Sequence, residues 1–438
     1  MGTILREVEG KIFANSTLYL SPRFFGYINA GGNQAAIVGE LLASAINQIC
    51  AKWHFSPAAS EVERQVIQWI AQFIGYVSEA EGRLLSGGST ANLVRLALAR
   101  KQKARFDAAS LGMRGGPPLT VYVSHEGHAS IEESMALLGM GREQLRKIAT
   151  LDDFTINMEA LQNQVAEDRE YGYLPICVVA NAGTTNTGAV DPLDALAEFC
   201  HDQDMWLHID AAYGGPAAGT EAAGRLFRGL DLADSVTVNP HKWLYLPVEA
   251  ACILVRKPRA LRDTFGVTAD YIREETDEGS DGPLDFKDNG PQLSRSFRAL
   301  KVWMTFKAYG GRRLRAAIEN NIEVMRYLAD QIDQSQDFVR LAPVPLSVVC
   351  FQYRTSNASV HGDQEYLDNM NDRLLRRLRK TAECFCPGQR SVGRGCFGRA
   401  ASTTACAGRT RSFCSKLSAR SPVRCSIRCY PIDGIGLF

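Results

Sequence analysis

The sequence has no long apolar run. The opening MGTILREVEGKIFANSTLYL contains no sustained apolar stretch followed by a small-residue cleavage site, so neither a signal peptide nor a membrane span is expected. Charge of one sign is also lacking. Lys plus Arg number 49 against 48 Asp plus Glu, a net +1. That balance gives no reason to expect nucleic acid or an acidic membrane surface as a partner, and a cytoplasmic location is the default. From Cys384 to Ile432 there is no Asp or Glu at all but many Arg, Ser, Gly and Cys, without either period. A zinc or nucleic-acid module would need paired ligand spacings. Cys384/Cys386 and Cys425/Cys429 do not form them. The plainer reading is an unstructured tail, as an out-of-frame end would give. No metal site is expected. The remaining cysteines, Cys50, Cys177, Cys200, Cys252 and Cys350, sit in apolar surroundings and read as buried free thiols.

What is present is ordinary for a globular chain: 45% hydrophobic and 22% charged residues, with 438 residues suggesting two or three lobes. Asn33 to Ile49 reads as a helix, with Ile37, Leu41, Leu42, Ala45 and Ile49 at helical spacing. Ser60 and Glu63 read as a capping box ahead of another helix. Apolar runs at 120–124, 176–181, 206–210, 235–239 and 251–256 read as buried strands, with helices at 90–104, 128–140 and 191–203. Such alternation predicts an α/β fold with a mainly parallel sheet, whose ligands sit beyond the carboxyl ends of the strands. Thr264 to Gln292 reads as a long loop. Helices are expected at 293–314, 320–332 and 366–380, and a strand at 346–353.

Four segments carry candidate chemistry. In Ser86-Gly87-Gly88-Ser89-Thr90-Ala91-Asn92, glycines and a helix start suit an anion; a simple glycine turn is the alternative. The strand Trp206–Asp210 ends in a carboxylate, which is costly to bury without a cation such as a protonated ring nitrogen, or a structural salt bridge. Asn239-Pro240-His241-Lys242 follows a strand, and Lys242 there is poised as a Schiff-base nucleophile, although most lysines are simply solvated. His125-Glu126-Gly127-His128 invites a metal reading, but a planar imidazole packed on a flat cofactor suits it better; a satisfied structural histidine is the alternative.

Taken in order, SGGSTANL, HEGHASIEE, NAGTTNTGAVDPL, WLHIDAAYGG and NPHKWL, with PRFFGYINA, SPAASEVE and QLSRSFRALKVW, resemble the group II pyridoxal-phosphate decarboxylases, of which aromatic-L-amino-acid decarboxylase is a member. The resemblance covers Ser21 to Lys380. It implies a type I aminotransferase-like fold, pyridoxal 5'-phosphate as cofactor, and a homodimer with shared active sites, with Leu293-Ser294 reaching the partner's phosphate. By resemblance, Lys242 forms the internal aldimine, Asp210 pairs with the pyridine nitrogen, His128 stacks on one ring face and Ala212 packs on the other. Gly88, Ser89 and Asn239 hold the phosphate, Thr185 lies near the ring oxygen or the Asp pair, and His241 approaches phosphate and aldimine. Tyr27, Ile28 and Trp53 match the substrate side-chain pocket. The implied activity is decarboxylation of an L-amino acid, an aromatic one, to the amine, a step in amino-acid metabolism.

The expected divisions are a short N-terminal helical segment over 1–60, a large cofactor-binding domain over 61–310, a small C-terminal α/β domain over 311–383, and a disordered tail over 384–438. Three departures stand out. The N-terminal segment is short for a dimer clasp. The tail does not resemble the family's last elements, so an incomplete small domain and an inactive fragment are a competing expectation. Phe286 falls where the decarboxylases carry a proton-donating Tyr. A Phe there points instead to an aldehyde synthase, which decarboxylates and oxidatively deaminates; Tyr271 is the alternative proton donor.

Overall fold

The computed structural model describes residues 1–17, 24–266, 285–354, 364–380, 389–391, 394–396 and 398–401. Helices α1 (Gly2–Glu7), α2 (Gln34–Ile46) and α3 (Pro57–Ile74) precede strand β1 (Glu81–Leu85). Then follow α4 (Gly88–Lys103), the short α5 (Ala108–Leu111), β2 (Leu119–Ser124), α6 (Ser130–Leu137), β3 (Leu145–Ile148), α7 (Met158–Glu170), β4 (Leu174–Asn181), α8 (Leu193–Asp202), β5 (Trp206–Asp210), β6 (Ser235–Val238), α9 (Pro240–Trp243), β7 (Ala251–Val255) and α10 (Ala260–Phe265). These strands form one sheet in the order β1-β7-β6-β5-β4-β2-β3. The pairs β2/β3, β2/β4, β4/β5 and β5/β6 are parallel, whereas β7 runs antiparallel to both β6 and β1. The strands are buried on both faces, with helices covering them, which is why they read as continuous apolar runs.

The smaller lobe holds α11 (Ala299–Asp333), β8 (Phe338–Arg340), β9 (Val348–Tyr353) and α12 (Gln364–Lys380). Strands β10 (Gln389–Ser391), β11 (Arg394–Cys396) and β12 (Gly398–Ala401) follow, and β12 completes an antiparallel sheet in the order β12-β9-β8. The expectation of an unstructured tail from Cys384 is corrected at 389–391, 394–396 and 398–401, where β10 pairs with β11 and β12 pairs with β9, backbone order that side-chain periodicity does not signal. Residues 402–438 lie outside the described residues. Among the described residues Cys50, Cys177, Cys200, Cys252 and Cys350 are free and buried, and burial pushes the Cys50 thiol up to about 11 and Cys177 to about 12, which disfavours the reactive thiolate.

Other expectations are corrected too. The helix expected to start at the Ser60–Glu63 box starts instead at Ser56, with Pro57 in its first turn. Glu63 is not a cap. It is buried, accepts Leu84 N–H at 2.9 Å, and pairs with the buried Arg295 at 2.5 Å. Arg295 also donates to the carbonyls of Leu84 and Cys50, both at 2.9 Å. Residues 293–298 are consequently not helical, and α11 is two helices joined across Gly310 (φ 70°). Helix α2 forms as expected, with Asn33 as its cap accepting from Ala36 N–H at 2.8 Å. Its apolar face, however, is not core. Ala36 and Gly39 face inward, and a Cβ on Gly39 would stand 2.8 Å from the Lys301 Cα. Ile37, Leu41, Leu42, Ile46 and Ile49 are exposed, Leu41 by 69%.

The Glu63–Arg295 pair joins α3, β1 and the segment entering α11. Removing one partner leaves an uncompensated buried charge, so Arg295→Ala is expected to cost about 3–5 kcal/mol in urea unfolding. A loss under 1 kcal/mol would show that the pair is not the joint described.

Candidate functional site

The turns following β1, β2, β4, β5 and β6 converge on one cavity beyond the carboxyl ends of the strands. Gly88, His128, Thr185, Asp210, Ala212, Asn239 and Lys242 all line it. So do Asn92, Asn181, Gly183, Thr184 and Tyr213, which the sequence reading does not single out, and Glu126, which it considers only as a metal ligand. Nothing in composition marks these six. Most are drawn in by backbone position, next to a residue that has its own motif. Among the described residues no group of three His, Cys, Asp or Glu is placed to hold a metal ion.

Lys242 sits in the single-turn helix α9, which is anchored from behind. The indole N–H of Trp243 donates to Asn321 Oδ1 at 3.0 Å, and the ring stacks on Tyr213 at 4.8 Å. Tyr213 in turn meets Ser347 Oγ at 2.6 Å, so the smaller lobe braces both sides of the lysine turn. Asn33 N–H and its side-chain amide both donate to the Tyr245 carbonyl, at 2.8 and 2.9 Å.

His128 is held in one tautomer. The backbone N–H of Ser130 can only donate, and it points at His128 Nδ1 (3.2 Å). Ser130 Oγ lies 2.7 Å from the same nitrogen and accepts from Asn92 Nδ2 at 2.5 Å. The proton of the neutral ring is thereby left on Nε2. Burial lowers the His128 pKa, and Lys242 and Arg95 add to that against the opposing pull of Asp210, so the ring is neutral near pH 7.

Asp210 ends β5 with its side chain 11% exposed. Its Oδ1 accepts Ala212 N–H at 3.3 Å, and Oδ2 stands 3.8 Å from Nη1 of the fully buried Arg95. Gly88 opens α4 against Asn239, where an added Cβ would come within 2.9 Å of Asn239 Nδ2. Asn239 Oδ1 is buried with no hydrogen-bond partner in the protein. The helix-start amides with Asn239 Nδ2 beside Gly88 are donors and suit an anion, whereas the unpaired Oδ1 is an acceptor.

The loop after β4 is pinned by Asp191. That buried carboxylate accepts from the N–H of Asn181 (2.7 Å) and Ile156 (2.8 Å) and from Asn181 Nδ2 (3.1 Å). Gly183 needs its positive φ of 102°, and an added Cβ would touch Gly214 N at 3.0 Å.

Some expected residues lie off the cavity wall. Ser89 is exposed in the first turn of α4, because the turn aims Gly88 and Asn92 inward instead. His241 Nδ1 lies against the Ala250 peptide, 2.5 Å from its carbonyl oxygen and 3.1 Å from its nitrogen; burial pushes its pKa down to about 4. Tyr27 is 55% exposed, while Ile28 is buried and Trp53 half-buried, all away from the wall. Phe286 is the largest departure. Its ring is fully buried, 5.1 Å from the Arg295 guanidinium, and the next residue's N–H is fixed to the Ala51 carbonyl. A side chain there packs the core and does not reach the reacting centre. Tyr271 lies outside the described residues.

The cavity thus offers a primary amine, a carboxylate, a neutral imidazole, a small apolar wall and an anion cradle. That set suits a flat heterocycle bearing a carbonyl and an anionic arm. The comparisons agree with it. Residues 1–354 match the pyridoxal-dependent decarboxylase conserved domain. The chain is 34% identical over 375 residues to an aromatic-L-amino-acid decarboxylase of Bacillus atrophaeus, covering 86% of this chain and 76% of that one. It is 31% identical over 355 residues to a phenylacetaldehyde synthase of Petunia hybrida, covering 80% and 70%. In structure it matches the Catharanthus roseus tryptophan decarboxylase in complex with L-tryptophan, with a TM-score of 0.85, 26% identity, and 95% and 87% covered.

The pinning carboxylate has a testable signature. Burial pushes Asp191 up from its ordinary 3.8 to about 6, against the three hydrogen bonds it accepts. The folded state therefore holds the proton more tightly than the unfolded chain. This contribution is fully present below about pH 4 and is lost as pH rises through about 6. Relative to Asp191→Asn, wild-type stability is expected to fall by about 2–3 kcal/mol between pH 4 and pH 7 in urea titrations. A difference independent of pH refutes the assignment.

Proposed function

The chain belongs to the pyridoxal-dependent decarboxylase family, and from that premise we infer that it removes the α-carboxylate of an aromatic L-amino acid as carbon dioxide and releases the amine. The observation that carries the reading is that Lys242 and Asp210 open onto one cavity. Bound there, pyridoxal 5'-phosphate supplies an electron sink for the pair left when the carboxylate departs. Lys242 would be the amine that holds the cofactor's carbonyl, and Asp210 would accept a hydrogen bond from the ring nitrogen and favour its cationic form. Neutral His128 and Ala212 would pack against the ring and orient it, so that the bond to the carboxylate is the one that breaks. The amides at Gly88 and the Asn239 side chain take the phosphate.

The aldehyde-synthase reading loses the argument from Phe286, whose ring is buried against Arg295, and is supported instead by the likeness to phenylacetaldehyde synthase. The phenol of Tyr271 is the reading's proton donor for the carbon that loses the carboxylate. A product screen over L-amino acids is expected to yield carbon dioxide and amine with aromatic substrates. Borohydride should fix the cofactor on Lys242, as read by peptide mass. Tyr271→Phe is expected to shift product from amine toward aldehyde with peroxide and ammonia, while Phe286→Tyr leaves the product unchanged. A label elsewhere, or peroxide from the unaltered protein, overturns the assignment.

The working unit is a homodimer. In support, the outward face of α2 carries Ile37, Leu41, Leu42 and Ile46, and α1 and the turns after it add exposed Ile4, Leu5, Ile12 and Phe13. Exposed apolar faces of this kind mark an interface. Leu293 and Ser294 are exposed and free to reach a partner. No helix among the described residues is long and apolar enough to cross a membrane, and the proposed location is the cytoplasm. Leu41→Glu is expected to convert the dimer to monomer in sedimentation, with activity lost in parallel. A monomeric wild-type chain without turnover would instead favour an inactive fragment.

A further inference from the structure

Arg95 lies on α4, one turn beyond Asn92, and is completely buried. Its Nη1 is 3.8 Å from Asp210 Oδ2, too far for a hydrogen bond. Its Nε, Nη1 and Nη2 have no hydrogen-bond partner in the protein. A buried guanidinium with its donors unmet is costly, and most buried arginines are satisfied. Arg295 shows the ordinary arrangement, with a carboxylate and two carbonyls at 2.5–2.9 Å. Arg95 has only the nearby charge.

The placement gives that charge a direction. Asp210 lines the cavity and Arg95 does not, so the cation stands behind the carboxylate and the cavity lies in front. Coulomb energy falls with distance. A cation behind Asp210 therefore favours negative charge on the near carboxylate more than it disfavours positive charge on a ring nitrogen farther away. A single proton shared between carboxylate and ring nitrogen is driven toward the nitrogen. In a buried site without such a charge, the neutral pair, with the proton on oxygen, competes strongly.

We propose that Arg95 is a positioning residue whose fixed charge behind Asp210 keeps the shared proton on the pyridine nitrogen of the bound cofactor. This rests on the cofactor reading of the cavity. The other charged or titratable groups that line the cavity with Asp210 are Lys242, His128, Glu126 and Tyr213, whereas Arg95 is not part of the wall.

The test loads wild type, Arg95→Lys, Arg95→Gln and Arg95→Met with ring-nitrogen-15-labelled pyridoxal phosphate and reads the ring nitrogen by NMR. Wild type and the lysine variant are expected to show the protonated shift. Gln and Met variants are expected to move toward the unprotonated pyridine value, with kcat down about tenfold and KM little changed. A structural arginine alone would lower stability without moving the nitrogen signal. An unchanged signal in a folded Gln or Met variant overturns the proposal. Should neither neutral variant fold, a lysine variant that loses the protonated signal overturns it, and one that keeps the signal supports it. Wild type that binds no cofactor defeats the cofactor reading itself, and this proposal with it.

Discussion

A carboxylate at the end of a buried strand is the constraint on which this active site is built. Asp210 is brought there by the sheet, and the low-dielectric surroundings demand positive charge beside it. The protein supplies Arg95 on the far side and leaves the near side to the cavity. Helix α4 serves twice: its first turn presents amides beside Asn239, and the end of its second turn presents the guanidinium behind Asp210. The anion cradle and the counter-charge are thus set on one rigid element, and their separation is fixed by helix geometry rather than by loops.

The C-terminal part of the chain braces the lysine turn without lining the cavity. Asn321 on α11 receives the Trp243 and Tyr245 side chains, and Ser347 receives the Tyr213 hydroxyl. The turn that carries Lys242 is therefore clamped between lobes. Completion of the β8–β9 sheet by β12 extends that clamp into the region whose composition looks least like folded protein.

Fold class and the cavity were legible where the local pattern and the tertiary environment ask for the same residues. Strands β4 and β5 are buried on both faces and read as apolar runs, and Lys242, Asp210 and His128 sit in motifs with distinctive neighbours. The failures share a cause. Ser60 and Glu63 have the spacing of a cap, but Glu63 is taken by Arg295, 232 residues along the chain. Phe286 sits in a loop-like acidic stretch, yet the same Arg295 holds its ring in the core. Residues 293–298 have helical periodicity and lose it to the same network. Arg95 is unremarkable in sequence, because its meaning comes from a strand-end residue 115 positions away (210 minus 95). β3, β1 and α7 are short or polar enough to escape a pattern read one segment at a time.

Helix α2 has thirteen residues, a length that holds together poorly in water without something to lie against. Only its inner edge, closing on Lys301 through Gly39, is fastened within the chain. Its capping residue, Asn33, also grips the Tyr245 carbonyl three positions past the lysine. If a second copy covers the outer edge, as proposed, dilution that strips it away would loosen the helix, then its cap, then the footing of the lysine turn, and catalytic competence would fade on thinning a solution while the seven-stranded sheet stays intact.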